Sequence, residues 1–419
     1  MEQKIYDAYC DILNQELLTA LGCTEPIAIA YAGAKARQIL GALPDSVLVE
    51  GSGNIIKNTK SVVVPNTDGQ KGIDTAVSAG ILFGNPDKLL QVLCDIRPQD
   101  KPLITEFAKS GKVKVVPADT DKIFYIGVTV RHGSESAKVV IEDQHTNITL
   151  IRKNDKDLLK KAEQADKDFD EKYSLLSVKD IIDFADNADL TPVKAALENQ
   201  ITLNSAISEE GLKNNWGVGI GRILAANGDV ESRAIASAAA GSDARMSGCE
   251  LPVVIVSGSG NQGMTASLPV ITYAKELNST HDLLLRALAV SDLMTIHQKT
   301  GIGKLSAYCG AVSAGVGAAC GIAYLKGGRY EAIAHTAVNA LAISSGIVCD
   351  GAKASCAGKI ATAIYSGLLG YKMYLAGHEF VSGEGIVTKG VDNTIANVGR
   401  LARQGMKETD KEIIKIMTE

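Results

Sequence analysis

Positive charge, aromatic rings and histidine are all scarce in this sequence. Lys and Arg total 43 against 48 Asp and Glu, so the formal net charge is −5 and no basic excess is available for nucleic acid. Aromatic residues make up 5% of the chain, whereas 41 residues are glycine. The composition therefore argues against a nucleic-acid partner and predicts a globular protein whose helices pack closely on small side chains.

A secretion signal is also absent. Met1 is followed by the charged stretch EQKIYDAYCDILNQE rather than by a basic start and an apolar run, so we expect a cytoplasmic protein. Residues 306–325 carry no charge and are long enough to span a membrane. Because they are mostly Ala, Gly, Ser and Cys, with Lys304 and Lys326 close outside, we interpret them as a buried core helix and expect no membrane partner.

The eight cysteines lack the spacing of a structural zinc site, since no C-x-x-C pair or finger-like histidine occurs. A cytosolic chain keeps its thiols reduced, which leaves packing residues or metal ligands. On continuous helices, Cys309 and Cys320 would stand about 16 Å apart, and Cys349 and Cys356 about 10 Å apart. Each of these two segments would then supply one thiolate. Single cysteines converging from distant segments would suit an iron–sulfur cluster.

Helical periodicity dominates both ends of the chain. It covers residues 3–42, with a break at the turn Gly22–Pro26, and it resumes at Val178 and continues to the C-terminus with Gly-rich interruptions. In the turn, Thr24 is the predicted cap of a helix whose first turn contains Pro26.

The middle of the chain shows the alternation of short strands. Residues 88–150 contain segments such as KVKVV, IFYIGVTVRH and AKVVIED, which indicate antiparallel hairpins. The charged residues 153–174 are expected to form a solvated helix or a linker. We therefore predict an α+β fold with a mostly helical core of residues 1–87 and 178–419 and an inserted small α+β module at 88–177.

Several long motifs resemble one protein family. GCTEPIAIAYA, DARMSGCELPV, SGSGNQGMTASLPV, IGKLSAYCGAVSAGVGAACGIAYL and GIVCDGAKASCAGK occur in this order. They resemble the L-cysteine desulfidase family, which is related to the α-chain of iron–sulfur L-serine dehydratases. The resemblance runs from about residue 20 to about residue 400 and is weakest over 90–200. It implies an oxygen-sensitive lyase with a [4Fe–4S] cluster that converts L-cysteine to pyruvate, ammonia and sulfide without pyridoxal phosphate.

The same resemblance implies the ligands of the cluster. Matched motif by motif, they fall on Cys23, Cys309 and Cys349, one from each of three distant segments. Three thiolates would leave one iron open to the substrate. Cys356 and Cys249 are the alternates for Cys349.

A glycine-rich segment at 257–267 is suited to the substrate carboxylate, because backbone N–H groups and a helix beginning near Met264 would face an anion. A plain turn between helices is the alternative interpretation. The segment EGSGNIIKN at 50–58 could form a second wall. The predicted substrate-binding residues are Ser52, Asn54, Ser259, Gly260, Asn261 and Gln262.

The general base is left open among three residues. Removal of an α-proton requires a lysine, a histidine or a carboxylate, and His297, Lys304 and Lys353 are the candidates. Lys353 would lie one helical turn from a cluster ligand and could instead balance the charge of the cluster. Glu25, beside a predicted ligand, is expected to hold the substrate ammonium or to orient the turn.

Two other functions remain open. L-serine dehydratase would use the same cluster with hydroxide as the leaving group. A cluster-free binding or sensor protein could have kept the scaffold without the reaction. Ala- and Gly-rich helices also suggest self-association, so we expect a homodimer that acts on a small amino acid.

Overall fold

The computed structural model of the chain describes residues 1–161, 167–303 and 305–418. The helices are α1 (Gln3–Glu16), α2 (Thr24–Leu40), α3 (Gly53–Thr59), α4 (Ile73–Phe83), α5 (Lys101–Lys109), α6 (Lys167–Ser174), α7 (Val178–Asn187), α8 (Lys194–Lys213), α9 (Ile220–Ala225), α10 (Val230–Met246), α11 (Gly260–Glu276), α12 (His281–Ile302), α13 (Gly310–Leu325), α14 (Tyr330–Ser344), α15 (Cys356–Leu375), α16 (Val391–Arg400) and α17 (Lys407–Thr418). The strands are β1 (Thr19–Leu21), β2 (Ser46–Gly51), β3 (Val113–Pro117), β4 (Tyr125–His132), β5 (Glu135–Glu142), β6 (Ile148–Lys153), β7 (Lys156–Lys160) and β8 (Pro252–Val254).

The predicted α+β class is confirmed, and the antiparallel hairpins of the middle region are present. Six strands form one sheet in the order β3-β2-β4-β5-β6-β7, in which β2 and β3 are parallel and the other pairs antiparallel. Helix α2 packs on β4 and β5, over the buried Val128 and Val139. Because β2 precedes residue 88, the sheet draws on chain from both sides of that position. The division into domains at 88 and 178 stays a prediction.

The charged segment after β6 differs from the expected helix or linker. Residues 156–160 form β7, which pairs with β6 through a tight turn. At that turn Asn154 has a φ of 51°, a conformation that asparagine tolerates and that tight hairpins require. The Asn-Asp pair was therefore a turn signal, and the expectation for these residues was wrong. Residues 162–166 of the segment lie outside the described ranges, and α6 follows them.

The uncharged segment at 306–325 forms the centre of the helical core, as predicted. It supplies α13, which packs against α11, α12, α14 and α15. Contact with α15 is close, since a Cβ atom on Gly315 would lie 2.6 Å from the backbone of Ala363. Small residues therefore set the helix spacing. Within the described ranges, every helix is too short or too polar to cross a membrane.

A short antiparallel pair, β1 with β8, ties the N-terminal segment to the second half of the chain. Its register joins Thr19 to Val254 and Leu21 to Pro252. Because the pair is antiparallel, the turn that follows β1 and the glycine-rich segment that follows β8 leave from its opposite ends. The Thr24 hydroxyl donates to the carbonyl of Gly258 at 2.8 Å, which places the start of α2 beside the segment that leads into α11.

Candidate functional site

A cavity of about 100 Å³ lies where remote parts of the chain meet. Its wall is formed by the starts of α2, α11, α13 and α15, the end of α12 and the loop before α15. Four of the eight cysteines line it, namely Cys23, Cys309, Cys349 and Cys356. The structure thus brings together the three predicted ligands and one of the two alternates.

Backbone pairing holds two of these cysteines side by side. Tyr308 and Val348 form an antiparallel bridge between the chain before α13 and the chain after α14. The Cys309 N–H donates to the carbonyl of Ile347 at 3.0 Å, and the Cys349 N–H donates to the carbonyl of Ala307 at 2.6 Å. Their relative position is therefore fixed by the backbone and not only by side-chain packing.

Cys309, Cys349 and Cys356 form one electrostatic group. Burial, together with the neighbouring Cys349 and Cys356, raises the pKa of Cys309 to about 12. Burial and Cys349 likewise raise the pKa of Cys356. Without a metal Cys309 and Cys356 are therefore neutral thiols, so metal binding would release their protons.

The loop conformation explains why Cys356 joins the group. Residues 349–355 are not helical, and α15 begins only at Cys356, whose thiol lies 3.8 Å from the carbonyl of Gly351. The continuous helix that would separate Cys349 from Cys356 is absent, so that expectation was wrong. Lys353 is likewise not one helical turn from Cys349, because the segment between them is not helical. Its ammonium instead pairs with Asp350 at 2.5 Å.

Cys23 enters the wall from the start of α2 and belongs to a small apolar cluster against which Cys356 packs. It is itself the N-cap residue of α2, whereas Thr24, the predicted cap, is the first helical residue. The Cys23 thiol donates to Glu25 Oε2 at 3.2 Å. Burial raises the pKa of Cys23 well above its usual range, Glu25 raises it further, and Arg245 opposes both. Cys23 is therefore held as a thiol that points at a carboxylate.

Glu25 is a buried, ionised carboxylate with several partners. The Asn58 amide donates to its Oε1 at 3.2 Å, and His145 Nε2 lies 4.0 Å from the same oxygen, an ion-pair distance too long for a hydrogen bond. Burial alone would raise the pKa of Glu25, but His145 and the Cys23 thiol lower it to about 2. His145 comes from the turn between β5 and β6, so the sheet contributes directly to the surroundings of the site.

Arg245 links two segments of the wall and is itself a lining residue. It is 2% exposed at the end of α10, and its Nε and Nη2 donate to the carbonyl of Gly22 at 3.1 and 2.7 Å. Its Nη1 donates to Asn261 Oδ1 at 3.2 Å. The motif DARMSGCELPV contains Arg245, but an arginine in that sequence context gives no sign that it would face a turn more than 200 residues away.

Two lysines also line the cavity, Lys299 at the end of α12 and Lys359 in the first turn of α15. Lys359 donates to the carbonyl of Val348 at 2.8 Å and pairs with Asp350. Burial lowers the pKa of Lys359, but the bond to Asp350 and the nearby thiols outweigh burial and raise it. A stable positive charge therefore stands beside the cysteine group. Sequence reasoning missed both lysines.

The start of α11 faces the cavity with polar side chains. The helix begins at Gly260, with Ser259 as its N-cap residue, rather than near Met264 as predicted. Ser259, Asn261 and Gln262 line the cavity. Gln262 Oε1 is buried without a hydrogen-bond partner among the described residues. Donors at a helix N-terminus suit an anion, although no ligand here tests their predicted role.

Several predicted residues lie away from the cavity. The Ser52 hydroxyl donates to a backbone carbonyl ahead of β4 at 2.8 Å, and the Asn54 amide donates to Asp410 at 2.6 Å. His297 pairs with Asp392 at 2.8 Å. On α12, His297 and the cavity residue Lys299 are two positions apart and therefore project in different directions.

Three further predicted residues are Lys353, Cys249 and Lys304. Lys353 and Cys249 are absent from the cavity wall, and burial raises the pKa of the Cys249 thiol. Lys304 lies outside the described residues. Of the three predicted bases, the two that are described therefore do not face the cavity.

A single metal ion and an iron–sulfur cluster place different demands on the side chains of the cavity wall. Among the described residues, no three His, Cys, Asp or Glu side chains are close enough to hold a single metal ion. An iron–sulfur cube makes a different demand, because each thiolate binds a different iron and the sulfurs stand further apart. Cys309, Cys349 and Cys356 on one wall, with Lys359 as a counter-charge, fit this demand in chemistry and grouping.

Comparison with known proteins places the chain among related sequences. Residues 103–415 match the family described as serine dehydratase alpha chain, a range that includes Cys309, Cys349 and Cys356 but not Cys23. A UPF0597 protein of Desulfitobacterium hafniense strain Y51 is 55% identical over 99% of this chain and 97% of its own length. UPF0597 proteins of Lachnoclostridium phytofermentans (48% identical, 99% of this chain, 100% of theirs) and Treponema denticola (44%, 100% and 99%) are similar over comparable spans.

Proposed function

Since the chain belongs to the serine dehydratase alpha chain family, we propose that it is a lyase that eliminates the β-substituent of a small L-amino acid with the help of a [4Fe–4S] cluster. L-Cysteine is the proposed substrate, and the products are pyruvate, ammonia and sulfide. The observation that carries the proposal is the convergence of cysteines from three remote segments on one cavity beside donors suited to an anion.

We assign the cluster to Cys309, Cys349 and Cys356. These three thiols influence one another electrostatically, whereas the largest charge effects on Cys23 come from Glu25 and Arg245. This assignment differs from the predicted set, in which Cys23 was a ligand and Cys356 was an alternate for Cys349. A bound cluster with one iron free of protein ligands supplies a Lewis acid that makes the β-substituent a better leaving group.

Other residues of the wall orient the substrate. The carboxylate faces the start of α11, where Ser259, Asn261 and Gln262 supply donors and Arg245 supplies positive charge. The ionised Glu25 attracts the ammonium group from the neighbouring side. With its two charged ends held this way, the amino acid directs its β-carbon toward the cysteine group.

Elimination requires a proton acceptor on the wall. Cys23 and Lys299 both line the cavity and both carry an exchangeable proton. After one of them has given up its own proton to solvent, the resulting Cys23 thiolate or neutral Lys299 amine takes the α-proton while the β-carbon–sulfur bond breaks, and the sulfur leaves with the bonding pair as hydrosulfide. The remaining aminoacrylate takes up a proton to become the imine, and water then converts it to pyruvate and ammonia.

Anaerobic reconstitution with iron and sulfide tests the cluster assignment. Wild-type protein should take up about four irons per chain and develop broad visible absorbance. Cys309→Ala, Cys349→Ala and Cys356→Ala should each lose the iron, whereas Cys23→Ala should keep it and lose turnover. Cys320→Ala is the matched control, because Cys320 is buried in α13 and does not line the cavity. Wild-type protein that stays colourless would support the cluster-free binding function instead.

The substrate is tested with the same reconstituted protein. L-Serine is the second candidate, because the matched family is named for serine dehydratase. Pyruvate is measured with each amino acid, and sulfide is measured with L-cysteine. Faster pyruvate formation from L-serine would overturn the choice of L-cysteine while leaving the lyase proposal intact.

A further inference from the structure

A buried lysine lies directly beneath the loop that carries Cys349. The side chain of Lys57, on α3, is 0% exposed, and its ammonium is 2.5 Å from Asp410 Oδ1. The same ammonium lies 3.4 Å from the carbonyl oxygen of Cys349. A buried charge without its partner destabilises the folded protein strongly. The Lys57 ammonium is therefore expected to keep its contact with the loop only while Asp410 is in place.

The loop also touches Lys57 through its backbone. Gly351 has a φ of +92°, and a Cβ atom there would lie 2.6 Å from the carbonyl oxygen of Lys57. Two residues after Cys349, the chain is therefore pressed onto α3 at a point where only glycine fits. The loop rests on Lys57 from both its side chain and its main chain.

Asp410 belongs to α17, the last helix of the chain, and is firmly held. Its Oδ2 accepts a hydrogen bond from the Asn54 amide at 2.6 Å, so both carboxylate oxygens are bonded. On the same helix, Ile414 covers Gly53, and the carbonyl of Met417 accepts a hydrogen bond from Lys60. Helix α17 is thus seated along α3, and its Met417 side chain also lies beside Gly351.

We propose that Asp410 and Lys57 are positioning residues for Cys349, and that α17 acts through them to hold the Cys349 loop in the geometry needed at the site. Neither residue lines the cavity, so neither is expected to touch the substrate. The inference rests on the proposed function only in treating Cys349 as a cluster ligand. That the loop is held in place can be tested without any cluster.

The test uses cluster-free full-length protein and the alkylation rate of each cysteine. Iodoacetamide labelling is followed peptide by peptide by mass spectrometry. In Asp410→Asn the carboxylate charge is lost while the shape is kept, and Cys349 should be labelled faster by on the order of ten-fold because its loop opens more often. The exposed Cys94 and the buried Cys320 should keep their wild-type rates.

Asp392→Asn is the matched control. Asp392 also pairs with a partly buried basic side chain, His297, and has no bond to the Cys349 loop among those of the described residues. This variant should leave the Cys349 rate unchanged. An unchanged Cys349 rate in Asp410→Asn, or an equal acceleration of Cys320, would overturn the proposal, since either result removes a selective effect on the loop.

A second variant keeps the test decisive if Asp410→Asn does not fold. Lys57→Met with Asp410→Leu replaces the buried pair by apolar groups, an exchange that proteins often tolerate. Faster labelling of Cys349 in this double variant supports the proposal, and a wild-type rate overturns it. Reconstituted Asp410→Asn should also retain less iron than wild type. If wild-type protein binds no iron, the proposed function fails while the labelling result still decides this inference.

Discussion

The two sides of the cavity are built in different ways. On one side, Cys309, Cys349 and Cys356 stand in or beside loops. Burial and neighbouring thiols raise the pKa of Cys309 and of Cys356. On the other side, Glu25 is ionised within a network of fixed partners. The first side is protonated until a metal binds, whereas the second is already charged and oriented. If the first side binds the cluster and the second the substrate, as proposed, we expect that each can be changed without the other.

The largest expected effect concerns the thiol wall before any metal binds. A pKa of about 12 for Cys309, against an ordinary thiol near 9, leaves about a thousand-fold less thiolate at neutral pH. Labelling of Cys309 in folded, cluster-free protein should be slower by at least this factor than labelling of the same cysteine in urea. A ratio close to one would mean that the thiols are not buried together.

The second effect concerns the charged wall. Glu25→Gln removes the carboxylate that attracts the substrate ammonium and accepts the Cys23 proton, so kcat/KM should fall by about 100-fold. Iron content should not change. The matched control is Glu50→Gln, which alters an ion pair with Lys138 on the sheet and should leave both quantities near wild type. Loss of iron from Glu25→Gln would show that the two walls are not independent.

A smaller effect links the sheet to the charged wall through pH. The folded-state pKa of Glu25 is depressed from 4.5 to about 2, so its stabilisation is present above 4.5 and is lost as the pH falls toward 2. His145→Gln removes one cause of this depression and should reduce the free energy of unfolding at pH 6 by about 1 kcal/mol. Urea unfolding across this range measures the change. A variant as stable as wild type at every pH would remove His145 from the wall.

The smallest effect concerns the counter-charge of the thiol wall. Lys359→Met removes the cation that stands beside Cys309 and Cys349, so iron should dissociate about three-fold faster from the reconstituted protein. Lys353→Met is the paired control, since Lys353 also binds Asp350 but does not line the cavity. Identical loss rates in the two variants would argue against a local electrostatic role.

Local pattern was enough to predict the helical core around α13 and the hairpins of the sheet, whereas the family resemblance implied that Cys23, Cys309 and Cys349 meet at one place. It was not enough for Cys356, because a helix was assumed across Asp350-Gly351. That pair is a turn signal, and Gly351 does adopt a positive φ of 92°. A closer reading of this dipeptide would have joined Cys356 to Cys349.

Other residues could not have been found from local sequence. His145 reaches Glu25 only because the turn between β5 and β6 lies against α2, and Arg245 reaches Gly22 only because β1 pairs with β8. Such contacts depend on how distant elements are stacked, which no periodicity of 2 or 3.6 residues contains. The contacts of His145 and Arg245 therefore could not be predicted until the topology was known.

The large sequence separation of these contacts has a consequence for folding during synthesis. The bond from Thr24 to Gly258 joins residues 234 positions apart, and the bond from Asn54 to Asp410 joins residues 356 positions apart. Contacts of such separation form late, because the intervening chain must first be brought together. On the ribosome, the chain must emerge beyond residue 410 before α17 can seat on α3, so we expect insertion of the proposed cluster to come after synthesis of this helix.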